Sequence, residues 1–212
     1  MTESNPEEIT LRSPLKEEHY VLTEQQKIAA VSNHVKAIME ILGLDLHDKS
    51  LRDTPSRVAK MYVKEIFSGL NPKNSPQVTL FENKYHYHGM LVEKNIKFHS
   101  FCEHHLIPII GKAHIAYMAK DHVIGLSQIS QIVYYYAKRP QLQERLTMQI
   151  AQAFKQILKT EDVGVIIDAE HTCVSVRDVE ATCSSTITSS LHGKLQEKST
   201  KEEFLNLLKI SS

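Results

Sequence analysis

A chain of 212 residues with 25 Lys+Arg against 25 Asp+Glu has no net charge, and 42% of it is hydrophobic. This excludes the strongly basic footprint of a nucleic-acid binder and provides enough apolar material for one packed domain with an appendage. No apolar run approaches the roughly 18 residues that cross a membrane. Three cysteines do not make a disulfide framework, and the polar, acidic first 25 residues do not resemble a secretory leader. The expectation is a cytoplasmic protein with no nucleic-acid and no membrane partner. Twelve histidines are dense enough to ask whether some hold a metal or carry protons.

Residues 1–23 carry Pro6, Pro14 and several acids without apolar periodicity, and read as a mobile N-terminal arm. From Gln25 to Leu42, Ile28, Val31, Val35, Ile38, Met39 and Leu42 recur at helical spacing, and Gly43 ends the run. Thr54-Pro55 opens a second helix through Val58, Met61, Tyr62 and Ile66. An N-terminal helical pair therefore occupies residues 24–72. The main domain, 73–212, begins with strands at Val78–Phe81, Met90–Phe98 and Lys112–Met118. A helix runs from Gly125-Leu126-Ser127 to Arg139, Pro140 breaks it, and another follows through Leu142, Leu146, Ile150 and Ile157. Val163–Asp168 is a short buried strand, His171–Val179 and Ser184–Leu191 alternate like an antiparallel pair, and Ser199-Thr200 caps a last helix. The order predicts an α+β fold with a mainly antiparallel sheet.

The sharpest local feature is Ser100-Phe101-Cys102-Glu103-His104-His105. Cys102 and His105 stand at C-x-x-H spacing, which lets a thiolate and an imidazole meet one zinc ion from a tight turn. His104, one residue away, points elsewhere and stays free for proton transfer. Downstream, His171 and Cys173 share a face if they lie on a strand. Cys102, His105 and Cys173 would then make three protein ligands, leaving a fourth position open as catalytic zinc sites do. The competing reading of both cysteines is inert packing, and Cys183, without a ligand partner at useful spacing, reads as a small core residue. His86, His88, His99, His114 and His122 read singly as surface or satisfied histidines, and Tyr134-Tyr135-Tyr136 as packing or subunit contact.

Six further runs stand in register with this one: Asp53-Thr54-Pro55-Ser56-Arg57-Val58-Ala59-Lys60-Met61-Tyr62, His114-Ile115-Ala116-Tyr117, Val123-Ile124-Gly125-Leu126-Ser127, Arg139-Pro140-Gln141-Leu142-Gln143-Glu144-Arg145-Leu146-Thr147, Glu170-His171-Thr172-Cys173 and Ser185-Thr186-Ile187-Thr188-Ser189. With Cys102-Glu103-His104-His105 they resemble the signature of GTP cyclohydrolase I over about residues 25–208. The resemblance implies a tunnelling fold (T-fold), an antiparallel four-stranded sheet with helices on one face, in a homodecamer of two pentameric rings with active sites where subunits meet. It implies a Zn2+-dependent hydrolase that adds water across C8–N7 of the guanine ring of GTP, releases formate and closes the product to 7,8-dihydroneopterin triphosphate. His104 would protonate N7, His171 would assist at the ring and the adjoining ribose or phosphate, and Glu144, supported by Gln143, would accept from guanine N1–H and the 2-amino group. Glu103 falls among the substrate-binding residues, and Ser127, Lys60 and Arg177 match the positions that contact phosphate, with Arg57 nearby.

The chain departs from that pattern at the phosphate end. The family's usual lysine after the serine and the arginine three residues on are Gln128 and Gln131, and a common glycine is Asp178. Losing two charged contacts of about 1.5–3 kcal/mol each would weaken triphosphate binding on the order of a hundredfold or more. The alternative implied is a diverged paralogue with the same zinc chemistry on a less phosphorylated guanine nucleotide or another purine.

Overall fold

The computed structural model describes residues 13–15, 22–176 and 184–210. Arg177, Asp178, Cys183 and most of the expected arm lie outside the described residues. Helix α1 (Glu24–Ile41) opens on a capping box, in which the Thr23 hydroxyl accepts from Gln26 N–H and the Gln26 amide oxygen accepts from Thr23 N–H. It closes where Gly43 (φ 80°) donates to Glu40 O and Leu44 donates to Met39 O, a left-handed terminus that glycine adopts without strain. Helix α2 (Thr54–Met61) runs on into a π-helical turn at Tyr62–Ile66.

Strands β1 (Leu80–Glu82) and β4 (His122–Ile124) form a small antiparallel ladder. The main sheet holds β2 (Met90–Cys102), β3 (Pro108–Met118), β5 (Pro140–Gln141), β6 (Val163–His171) and β7 (Ser185–Leu191) in the order β5-β2-β3-β6-β7. Four strands pair antiparallel, and two residues of β5 add a parallel fifth at the end of β2, so the sheet has five strands where four were expected. Pro140 explains the fifth: it ends helix α3 (Leu126–Ala137) and leaves an extended pair of residues before helix α4 (Gln143–Leu158).

One face of the sheet, with Phe98, Ile115, Val165 and Ile167, packs against Ile129, Ile132 and Val133 of α3 and Leu146, Ile150 and Phe154 of α4. The expectation of helices on one face needs correcting, because Met90, Ala116 and Ile166 make one end of the other face apolar too. Phe204 of helix α6 (Lys198–Lys209), with Leu195, covers it. Gly164 permits that close approach, since a Cβ there would stand 2.6 Å from Leu195 Cδ2. A second correction falls at His171–Val179, expected as a strand. Strand β6 stops at His171, and Thr172–Ser175 turn into the single-turn helix α5.

Candidate metal centre and active site

The ends of three strands converge on one spot. Strand β2 ends at Cys102 and the chain reverses through a tight turn, closed by Leu106 N–H to Cys102 O and Cys102 N–H to Ile107 O, each 2.9 Å. Antiparallel pairing sets Ile109 of β3 opposite His171 of β6, which brings α5 beside that turn. The Thr172 hydroxyl donates to Pro108 O at 2.6 Å and pins the two together. The result gathers Cys102, His105 and Cys173, whose ligand atoms lie within 4.8 Å of one another. Cys173 reaches the group from a helical turn and not from a strand face, so the expected gathering forms by a different local geometry.

The donor chemistry fits a zinc ion. Two thiols and an imidazole are the borderline-soft ligands that zinc takes. Cys102 Sγ and His105 Nδ1 stand 3.7 Å apart; two such ligands on a tetrahedral zinc stand about 3.6 Å apart at ordinary bond lengths. Both cysteines are buried and His105 is exposed, so the group opens on one side. His104 is exposed, its ring edge-on to that of His105 with 6.2 Å between centroids. Beside it lies a hollow of about 330 Å³ lined by Leu70, Glu103, His104, Leu106 and Pro140, with Ser13–Leu15 along one wall.

Glu103 and Gln143, both expected at the substrate, are engaged by the protein. Glu103 accepts from the Arg145 guanidinium at 2.6 Å, and the same guanidinium donates to Pro140 O at 2.9 Å and to Gln141 Oε1 at 3.0 Å. Arg145 therefore ties the metal turn to the start of α4, a role that its sequence neighbours gave no sign of. Gln143 is buried, with Nε2 turned to Ile167 O, Thr186 O and Thr188 Oγ1, and Oε1 2.7 Å from His171 Nε2. Thr147 and Thr188 complete this network and were not singled out from the sequence.

Glu144 is exposed in the first turn of α4, next to Arg145. Ser127 is exposed in the first turn of α3. Gln128, one residue on, accepts from Thr79 N–H at 3.1 Å and donates to Gln77 O at 3.4 Å, so its amide ties down the segment leading into β1. Gln131 is exposed. Lys60 is exposed on α2, whose main neighbours are α1 and the π turn, and Arg57 on the same helix pairs with Asp53 at 3.7 Å. The tyrosine run has a packing role: Tyr135 and Tyr136 flank the Arg139 guanidinium at 4.5 and 4.6 Å.

The family model for GTP cyclohydrolase I matches residues 31–209. The chain belongs to the GTP cyclohydrolase I family. Among its relatives, GTP cyclohydrolase 1 of Flavobacterium johnsoniae is 52% identical over 95% of this chain and 90% of its own. GTP cyclohydrolase 1 of Aeromonas salmonicida is 46% identical over 99% of this chain and the whole of its own. GTP cyclohydrolase 1 of Escherichia coli O1:K1 / APEC is 45% identical over 94% of this chain and 90% of its own. The chain thus matches GTP cyclohydrolase I sequences over most of its length, with a Cys/His/Cys group at the spot where its strand ends meet. No helix among the described residues is long and apolar enough to cross a membrane.

Proposed function

We propose that the protein is a zinc-dependent cytoplasmic GTP cyclohydrolase I, converting GTP to 7,8-dihydroneopterin triphosphate and formate. The observation that carries this reading is the gathering of Cys102, His105 and Cys173 with His104 left unligated beside them. Cys102, His105 and Cys173 would hold the zinc, which would supply Lewis acidity to activate water near neutral pH. The chain's own residues do the rest. His104 gives N7 the proton it needs when the imidazole ring opens, a task suited to an imidazole near neutral pH. Glu144 accepts from guanine N1–H and the 2-amino group, which rejects adenine because its N1 carries no hydrogen. His171 assists at the ring and the adjoining ribose or phosphate, and Ser127, Lys60 and Arg177 take the phosphates.

Lys60 sits on the N-terminal helical pair, residues 24–72, and the zinc group in the catalytic domain, residues 73–212. That separation supports a homo-oligomer, a decamer of two pentameric rings, in which α2 of one subunit completes the site of another. The exposed Ile38, Ile41 and Leu42 at the end of α1 support it as well, since an apolar cluster of this kind calls for a covering surface. A retuned paralogue acting on less phosphorylated purines is not favoured, because relatives at 45–52% identity bear the name GTP cyclohydrolase 1.

The test is formate release by zinc-loaded protein from GTP, GDP, GMP and guanosine side by side. The proposal expects GTP to be preferred. Equal or faster turnover of GMP or guanosine would reject GTP as the substrate.

A further inference from the structure

The direction of the Gln143 amide is fixed from three sides. Its Nε2 lies 2.8 Å from Thr186 O, 3.3 Å from Ile167 O and 3.1 Å from Thr188 Oγ1. Main-chain carbonyls only accept, so the amide nitrogen must face them. The hydroxyls agree. Thr147 Oγ1 donates to the main-chain O of Gln143 at 2.7 Å, so the hydrogen shared between Thr147 and Thr188, also 2.7 Å apart, comes from Thr188. Thr188 Oγ1 is then an acceptor for Gln143, and the hydroxyls and the amide donate head to tail around a closed ring. Gln143 is 2% and Thr147 1% exposed, so the amide itself is shielded from solvent.

With Nε2 committed there, Oε1 faces His171 Nε2 at 2.7 Å. An amide oxygen carries no hydrogen, so the imidazole must donate. We infer that Gln143 is a positioning residue that takes the Nε2–H of His171 and so turns Nδ1 toward the substrate side. This rests on the reading of His171 as a working residue of the proposed reaction. It also reassigns Gln143, whose two amide hydrogens already face three protein acceptors and leave none for a guanine. Glutamate would not serve at this position, because a carboxylate oxygen would confront the Ile167 and Thr186 carbonyls.

Neutron diffraction from a deuterium-exchanged crystal of the zinc-loaded protein reads the ring hydrogens directly. Deuterium on His171 Nε2 is expected, whether or not Nδ1 also carries one; deuterium on Nδ1 with none on Nε2 would overturn the inference. Kinetics give the second reading. Gln143→Leu keeps the volume and loses the hydrogen bond, and should lower kcat on the order of a hundredfold while zinc per chain and the KM for GTP stay within about twofold of wild type. An unchanged kcat with a raised KM would make Gln143 a substrate ligand instead. If the wild-type protein releases no formate from GTP, the functional reading fails, while the deuterium position still decides whether Nε2 donates to Gln143.

Discussion

Arg145→Ala should loosen the metal turn from the helix beside it, and the size of the effect can be worked from the contacts. The guanidinium makes an ion pair with Glu103 at 2.6 Å and two further hydrogen bonds to Pro140 O and Gln141 Oε1. Exposed ion pairs are worth about 0–1 kcal/mol, whereas removing one partner of a buried pair costs about 3–5 kcal/mol. The two side chains are 12% and 20% exposed, which sets this pair nearer the buried limit. A loss of about 3 kcal/mol follows, equivalent to roughly 6–12 °C in Tm for a chain of this size. Thermal melts at fixed protein concentration read the loss, and Glu103→Gln combined with Arg145→Ala should show coupling of about 2 kcal/mol. Because Glu103 neighbours Cys102, Arg145→Ala should also release zinc faster to a coloured chelator. A variant melting within about 2 °C of wild type, with additive single and double changes, would refute the clamp.

Further predictions concern the site and its surroundings. Cys102→Ala or Cys173→Ala should abolish stoichiometric zinc by elemental analysis, and His104→Ala should keep zinc and lose roughly 100-fold or more in turnover. Gln131→Arg should lower the KM for GTP and make it more salt-dependent, because its exposed side chain is free to swing toward phosphate. Gln128→Lys should instead cost about 1 kcal/mol in a urea melt, since it breaks the amide clamp on Gln77 and Thr79. His114 Nδ1 accepts from Asn95 N–H at 3.3 Å within the β2 bulge, and burial holds its pKa below the ordinary value, with Asp168 opposing and Lys112 and Lys94 assisting. The folded chain then binds fewer protons at this ring than the unfolded chain. Stability is present above the ordinary imidazole pKa of about 6.5 and is lost as pH falls below it. His114→Gln should flatten that acid slope in melts recorded from about pH 7 to pH 5; an unaltered slope would contradict this.

Much of the fold was legible because periodicity and punctuation agreed. The run from Gln25 to Leu42 and the stop at Gly43 describe α1 to within a residue, and Pro140 marks the join of α3 and α4. What escaped was set by tertiary contact. Strand β5 is two residues long, too short for any alternation to show, and exists only because β2 ends alongside it. The residues 171–179 alternate in sequence, yet among the described residues Thr172–Ser175 leave the sheet after His171, where Thr172 finds Pro108 O. In the site, the gathering of Cys102, His105 and Cys173 was legible from C-x-x-H spacing and from the second Cys/His pair. Gln143 was placed at the substrate and not in the network it forms, and Arg145, Thr147 and Thr188 were not singled out, since a buried polar side chain announces its partners only once the strands and helices meet. Gln128 shows the same limit, read as a lost charge and found to hold a loop.

The most direct test of the account is turnover measured against zinc occupancy. Metal-stripped protein would be titrated with zinc while formate release from GTP is followed. The account predicts a rise in proportion to bound zinc that levels off at about one ion per chain, as the one Cys₂His group among the described residues implies. Formate release at full rate without zinc, or none at full occupancy, would contradict it.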